Sequence, residues 1–390
     1  MNKERYLQRN ILKDLSEKMV FIGGARQVGK TTLGRDLISQ TFPFHAYYNW
    51  DYNKDRKKIL SGELPGENGL LVFDEIHKYS KWKNLIKGIY DIHKSKYNIL
   101  VTGSARLNIY RKGGDSLQGR YHYYTLFPFS LAEMENVKLN FNPLEELIFS
   151  SHNFQSNANS LLEFGGFPEP LFSQDIRTLR RWHNEKLERL FREDIRDLEN
   201  IRELNSMKLL ADMLSNRASS PLSINNLRQD LEISHRAVTS WLNILESFYY
   251  LFRIYPYSAK QIRSIKKEPK LYLMDWSEVE NEGAKFENFI ALHLLKFVIF
   301  LYESQGYKTE LFYLRNVDKK EIDFLVTIDN KPWFAVEAKH SDTKPISNFR
   351  YFSEKLHIPF NYQVVKQSGV DNIKDGVRVI SADKFLSGLV

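Results

Sequence analysis

Cysteine is missing altogether from these 390 residues, so disulfides, zinc knuckles, iron–sulfur clusters and thiol catalysis are excluded. A reducing, cytoplasmic setting is the expectation that follows. Long apolar runs are missing too. The most apolar stretch, residues 289–302, is broken by His293 and Lys296 and is too short to cross a bilayer. It reads as a buried helix, and no membrane partner is expected. The first fifteen residues, MNKERYLQRNILKDL, mix charges throughout and hold no apolar signal-peptide core. Internal repeats and low-complexity tracts are also lacking.

What is present describes an ordinary globular chain. The hydrophobic share is 42% and the aromatic share 14%, with a mean hydropathy of −0.45, so folding needs no partner. The length suits two or three domains. A net charge of +8 permits a polyanionic partner without specifying one. Where the charge sits therefore matters more than its sum.

Between residues 19 and 128 apolar, β-prone runs (19–23, 45–50, 70–73, 99–102 and 121–126) alternate with helical stretches, which predicts a mostly parallel sheet covered by helices. Around 135–170 the pattern loosens into SSHNFQSNANS and FGGFPEP, as at a domain boundary. A charged helix follows over 178–205, with Leu179, Trp182, Leu187, Leu190 and Phe191 on its apolar side. Beyond residue 283 a helix is followed by ELFYLR, EIDFLVTI, WFAVEAKH and FNYQVVK, a mixed α/β unit.

The run MVFIG leads directly into Gly24, Ala25, Arg26, Gln27, Val28, Gly29, Lys30 and Thr31, which match G-x-x-x-x-G-K-[ST], and Thr32 then opens a helical stretch. The glycines let backbone N–H groups curl around phosphates, Lys30 can reach the β- and γ-phosphates, and the Thr31 hydroxyl can ligate Mg²⁺. ATP with Mg²⁺ is the implied ligand. Downstream, LLVFDEIHK is an apolar strand ending in Asp74, suited to hold Mg²⁺ through water, and Glu75, suited to polarise the attacking water. The intervening run 45–50 implies an extra strand between the two motif strands, as in NTPases whose glutamate activates water. ILVTGSA ends at Ser104, which is either a γ-phosphate sensor or a helix cap.

This constellation resembles the AAA+ ATPases. SLQGRYHYYTLFPFSLAE, FGGFPEP and LERLFREDIRD further resemble the bacterial and archaeal AAA-type ATPases that carry a C-terminal DUF4143 region, so the resemblance covers nearly the whole chain. It points to Arg120 as an arginine finger or nucleotide sensor, with Arg106 and Arg111 as competitors and a structural salt bridge as the plain reading of all three. An arginine supplied in trans requires a homo-oligomer, of which a hexamer is one form. Serine stands at the sensor position where many AAA+ proteins have asparagine.

Within PLSINNLRQDLEISHRAVTSWLNILESF, one apolar stripe is Ile224, Leu227 and Leu231, and a second is Val238, Trp241, Leu242 and Leu245. The spacing resembles a helix-turn-helix in which Ser234 caps the second helix, leaving His235, Arg236, Thr239, Ser240 and Asn243 outward. The next hairpin reads as a wing, and Arg253, Lys260, Arg263, Lys266, Lys267 and Lys270 face a single acid, Glu268. That density suits DNA phosphates, branched or single-stranded DNA included, although such modules also serve only for packing.

The last hundred residues carry Glu287 on a helix, Asp323 at the start of a strand, and Glu337 and Lys339 at the end of the next. If those strands pair, Asp323 and Glu337 converge on one or two Mg²⁺ ions, and Lys339 projects to the same face as Glu337. The order E…D…ExK resembles the PD-(D/E)XK nucleases, with Gln363 as an accessory, and implies metal-assisted phosphodiester cleavage by Glu287, Asp323, Glu337 and Lys339.

The expected architecture is thus a P-loop (AAA+/ASCE) parallel-sheet domain over 1–160, a helical connector or lid over 161–205, a winged helix over 206–275, and a restriction-endonuclease-like mixed α/β domain over 276–390. The leading functional expectation is an ATPase that couples turnover to DNA remodelling or cleavage. A nucleotide-controlled regulatory or defence switch with a non-catalytic nuclease-like module is the alternative, and an ATPase acting on protein partners is a third.

Overall fold

A computed structural model describes residues 3–104, 107, 117–195, 204–258, 268–341 and 343–390. They form two compact units, Met1–Phe127 and Pro128–Val390.

The first unit is built on β1 (Met19–Gly24), β2 (His45–Asn49), β3 (Gly69–Asp74), β4 (Tyr97–Thr102) and β5 (Tyr121–Leu126). Among the described residues they make one sheet in the order β2-β3-β4-β1-β5, every neighbour parallel. Parallel strands need covered faces, which is why β1 is buried along its length and β3 at all but its first residue. The helix Trp82–His93 buries Trp82, Ile86 and Ile89, spaced three and four apart, in a core with Phe21, Tyr48 and Phe73. One expectation is corrected here. The strand that separates the two motif strands β1 and β3 is β4, and β2 lies beyond β3 at the sheet edge. Chain order does not fix sheet order, because a right-handed crossover can step over a position that a later strand fills.

In the second unit the strands β6 (Ser220–Pro221), β7 (Leu251–Pro256), β8 (Lys270–Leu273), β9 (Thr309–Arg315), β10 (Glu321–Ile328), β11 (Lys331–Lys339), β12 (Phe360–Val365), β13 (Asp371–Lys374) and β14 (Val377–Ser381) form a single sheet. Among the described residues its order is β13-β14-β12-β11-β10-β9-β7-β8-β6. The expected boundary at 275/276 therefore does not interrupt the sheet: the wing strand β7 pairs with β9 through Tyr255↔Phe312 and Pro256↔Tyr313. The helix Glu282–Gln305 starts where Asn281 accepts the Ala284 N–H and stops at Gly306, whose φ of 76° suits glycine. Its apolar residues are buried on almost every side, as the sequence implied for 289–302.

The division at 127/128 is also earlier than the expected 160. The loosened, polar pattern around 135–170 suggested the boundary there, but the chain already leaves the first unit at 127, and Phe129, Leu131 and Met134 are buried in the second. The short helix Leu131–Met134 opens with a capping box between Ser130 and Glu133. The buried Lys296 ammonium then donates to Pro128 O (3.1 Å), Ser130 Oγ (2.9 Å) and the Glu133 carboxylate. His293 Nε2 accepts the Leu131 N–H at 3.2 Å while its Nδ1 meets Phe289 O at 2.8 Å. Burial, with the Lys296 ammonium nearby, pushes the His293 pKa down to about 3 against the opposing pull of the Phe289 carbonyl. The two polar residues that interrupt the apolar run are thus the ones that bind this segment. Among the described residues no helix is long and apolar enough to cross a membrane.

Candidate nucleotide site and a carboxylate cluster

The carboxyl ends of the parallel strands bring Gly24, Asn49, Asp74 and Thr102 side by side, through the register Asn49↔Asp74↔Thr102 and Ile22↔Thr102. Ligands of open parallel sheets bind at this edge. Gly24 has a φ of 141°, and a Cβ there would lie 2.4 Å from Leu126 O, so only glycine lets the loop leave β1 against β5. Gln27 and Gly29 also take positive φ, 59° and 99°. The loop is braced from behind by Arg5, a buried residue that sequence reading missed, which donates to Val28 O (2.8 Å) and Phe127 O (2.6 Å). Lys30 is buried, its ammonium donating to Gly24 O (3.0 Å) and Ala25 O (2.5 Å). Thr32 starts a wide, π-type turn through Ile38, a form that recurs at functional sites.

Asp74 is buried and fully engaged. The Thr31 hydroxyl donates to Oδ2 at 2.9 Å, the Tyr47 hydroxyl to the same oxygen at 2.7 Å, and the Thr102 hydroxyl to Oδ1 at 2.6 Å. Burial and the adjacent carboxylate raise the Tyr47 pKa, so this phenol stays a donor. Tyr47 and Thr102 were not foreseen, since their task depends on which strands become neighbours. The Thr31 and Asp74 oxygens are hard donors within hydrogen-bond reach of each other, and this pair fits Mg²⁺ carried in with a nucleotide.

Glu75 leaves β3 with a φ of 59°, and burial raises its pKa against the opposing pull of Lys30 and Lys78. Its Oε2 lies 3.6 Å from His77 Nε2 and 3.5 Å from Lys78 Nζ. The same His77 nitrogen is 3.2 Å from Ser104 Oγ. Gly103 makes that approach possible, because a Cβ there would come within 2.5 Å of His77 Nδ1. Ser104 is therefore linked to Glu75 through a buried histidine that the sequence reading passed over.

Arg120 lies elsewhere. It immediately precedes β5, whose first residue pairs with Met19 at the start of β1, so it stands at the end of the sheet opposite the phosphate loop. Five residues of strand separate the two ends by about 17 Å. Of the two nucleotides left open for Arg120, its own chain's or a neighbour's, this position lies away from the first. Its guanidinium makes two hydrogen bonds to Asp91, 2.8 and 3.2 Å, which holds the Asp91 carboxyl below its ordinary pKa. Arg106 and Arg111 lie outside the described residues.

In the second unit the helices Ile224–Asp230 and His235–Ser247 pack as the helix-turn-helix spacing predicts, with Leu227, Val238, Trp241, Leu242 and Leu245 buried. Ser234 Oγ caps the latter by accepting the Ala237 N–H at 3.1 Å. His235 and Arg236 are exposed, while the half-buried Thr239 donates its hydroxyl to His235 O at 2.8 Å. Of the basic stretch, Lys260, Arg263, Lys266 and Lys267 lie outside the described residues. Arg253 is turned inward to Asn243 (2.8 Å) and Glu246 (3.1 Å). Lys270 is buried.

Strands β10 and β11 are antiparallel with Phe324 opposite Val336, so Asp323 faces Glu337 and its N–H donates to Glu337 Oε2 at 3.1 Å. Lys339 Nζ lies 2.7 Å from Glu337 Oε1. Glu287 joins from the helix. At the centre sits a group not foreseen: Lys270 Nζ lies 3.1 Å from Glu287 Oε1, 2.8 Å from Glu321 Oε1 and 3.0 Å from Asp323 Oδ1. Asp323 Oδ2 in turn accepts the Ala338 N–H at 3.0 Å. Burial, with Asp323 alongside, pushes Glu287 up to about 8 and Glu337 up to about 7. Gln363 is opposite Glu337 on β12, but its amide bonds Ile346 N–H (3.1 Å) and Lys344 O (2.9 Å). Both carboxylate oxygens of Asp323 and of Glu337 face a nitrogen donor. Among the described residues no group of three or more His, Asp or Glu side chains is set to hold a metal.

Family models match three segments of the chain. A family model described as an AAA domain matches residues 16–135, a domain of unknown function, DUF8612, matches 155–278, and another, DUF4143, matches 282–385. This chain carries an AAA ATPase-type domain followed by a C-terminal DUF4143 domain. An uncharacterized protein of Methanocaldococcus jannaschii is 26% identical over 91% of this chain and 82% of its own length. A second from the same organism is 25% identical over 68% of this chain and 65% of its own length, and an uncharacterized protein of Mycobacterium tuberculosis is 21% identical over 84% and 72%. Among solved structures, the Aeropyrum pernix ORC1 protein in complex with DNA aligns at 12% identity over 75% of this chain and 95% of its own, with a TM-score of 0.35. Thermotoga maritima RuvB aligns at 14% identity over 67% and 94%, with a TM-score of 0.30.

Proposed function

We propose that the first unit hydrolyses ATP and that its turnover controls DNA engagement by the second. The observation that carries the reading is the convergence of Lys30, Thr31, Asp74 and Glu75 at one edge of the sheet. Bound Mg²⁺ supplies Lewis-acid polarisation of the γ-phosphate. The chain supplies the rest. The loop N–H groups and Lys30 neutralise phosphate charge, Thr31 and Asp74 hold the ion, and Tyr47 and Thr102 fix the Asp74 carboxylate. Glu75, outside that network, orients water and draws its proton. Arg120 serves a neighbouring subunit's nucleotide in a homo-oligomer; equal mixing of inactive Arg120→Ala and inactive Glu75→Gln proteins restores hydrolysis if so, and leaves it absent if not.

The exposed His235 and Arg236 at the start of the second helix, with Lys260, Arg263, Lys266 and Lys267 nearby in sequence, support DNA as the partner. For the DUF4143 domain the geometry favours the non-catalytic reading over the nuclease, because Lys270 stands among its acids. The test is ATP turnover measured with single-stranded, duplex and branched DNA, with strand cleavage followed in the same samples. The reading predicts stimulated hydrolysis without cutting. Hydrolysis indifferent to every DNA, together with no DNA binding at low salt, contradicts it.

A further inference from the structure

The acids of the second unit are gathered from three elements: Glu287 from the long helix, Glu321 and Asp323 from β10, and Glu337 from β11. Bringing four carboxylates into one buried cluster is costly unless cations share it. Three come from the chain itself. Arg315 Nη1 lies 3.3 Å from Glu321 Oε2 on the outer side, and Lys339 serves Glu337. Lys270 serves the centre and touches three of the four acids.

The strand explains why it is there. Side chains two apart on a strand share a face, so Lys270 and Tyr272 of β8 point into the cluster together, and the Tyr272 hydroxyl donates to Glu287 Oε1 at 2.7 Å. Leu271 and Leu273 turn the other way and are buried. β8 is held on both sides, by β7 and β6, through Ile254↔Lys270 and Pro221↔Lys270. The ammonium is delivered by the sheet register and does not hang from a loose chain.

We infer that Lys270 is the resident cation of this cluster, seated where a divalent ion would have to bind, and that the C-terminal acids accordingly take no metal. An ion about 2.1 Å from Asp323 Oδ1 would press against an ammonium that already lies 3.0 Å from the same oxygen. One cation must leave, and Lys270 is held by strand pairing on both sides of β8. The order E…D…ExK then marks a scaffold whose charge is satisfied internally.

Mn²⁺ titration of the full chain without nucleotide, read by the electron paramagnetic resonance of free Mn²⁺, tests this separately from the ATPase reading. Wild type and Asp323→Asn should titrate alike. Folded Lys270→Met should take up one additional equivalent, lost again in Lys270→Met/Asp323→Asn. A wild-type site that Asp323→Asn or Glu337→Gln abolishes overturns the inference, and so does a folded Lys270→Met that gains no ion. Should Lys270→Met fail to fold, the comparison of wild type with Asp323→Asn and Glu337→Gln still decides.

Discussion

Ser104 Oγ lies 3.2 Å from His77 Nε2, and that nitrogen is 3.6 Å from Glu75 Oε2. A side chain at the end of β4 is thereby joined to the proposed water-activating carboxylate through one imidazole. A hydrogen bond of this kind is worth about 0.5–1.5 kcal/mol, so His77→Ala should lower kcat about three- to tenfold with nucleotide affinity unchanged. Gly103→Ala should act in the same direction, because its methyl group displaces the ring. Steady-state kinetics beside nucleotide titration check this; equal loss of affinity and turnover would assign His77 to folding alone.

Glu75 works only as a carboxylate, and burial raises its pKa. The folded group holds its proton to higher pH than a free glutamate, so kcat should fall on acidification from a point above the ordinary glutamate range near 4.3. A pH–rate profile that extends through the ordinary glutamate range reports it. A fall centred at or below the ordinary glutamate range contradicts the assignment.

Arg236 is exposed on the helix proposed to face DNA. Replacing it by alanine should weaken binding of all sequences similarly and reduce the slope of log affinity against log salt by about one. Fluorescence anisotropy at several salt concentrations measures both. An unchanged slope removes Arg236 from the contact.

His293 should make stability fall with acid. Its folded pKa is pushed down to about 3, below the ~6.5 of an unfolded histidine. The unfolded chain therefore binds the extra proton, stability is complete above pH 6.5, and it declines as pH falls from there toward 3. At pH 5 the cost is about 2 kcal/mol. Denaturant unfolding of wild type and His293→Gln should show curves that converge on acidification; parallel curves contradict the sign.

Lys296 and Glu133 are both buried and bonded to each other. Removing the ammonium in Lys296→Met leaves the buried Glu133 carboxylate without its cation, at a cost of about 3–5 kcal/mol. Lys296→Met/Glu133→Leu should recover much of that loss. Chemical denaturation of the second unit checks it, and additive losses would show that the two residues act separately.

The phosphate loop and its acidic partners were legible because each depends on a short contiguous pattern: strand, glycine-bearing loop, helix, and strand followed by two acids. The capped helix pair was legible for the same reason, through apolar spacing and Ser234. What escaped depends on sheet order. Tyr47, Thr102 and His77 acquire their tasks only when β2, β3 and β4 lie side by side, and Arg120 stands away from its own chain's phosphate loop because β5 runs parallel to β1. Lys270 reads in sequence as one more basic residue of a wing, and only the pairing of β7 with β9 sets it among acids fifty residues away. That the segment after Phe127 belongs to the second unit was not legible, since its few apolar anchors and Glu133 reveal nothing without Lys296.

The most direct test of the account is ATP binding and hydrolysis by wild type, Lys30→Ala and Glu75→Gln. Wild type should bind and turn over Mg-ATP, Lys30→Ala should bind none, and Glu75→Gln should retain ATP without cleaving it. Normal hydrolysis by both variants would contradict the assignment of this edge of the sheet as a catalytic nucleotide site.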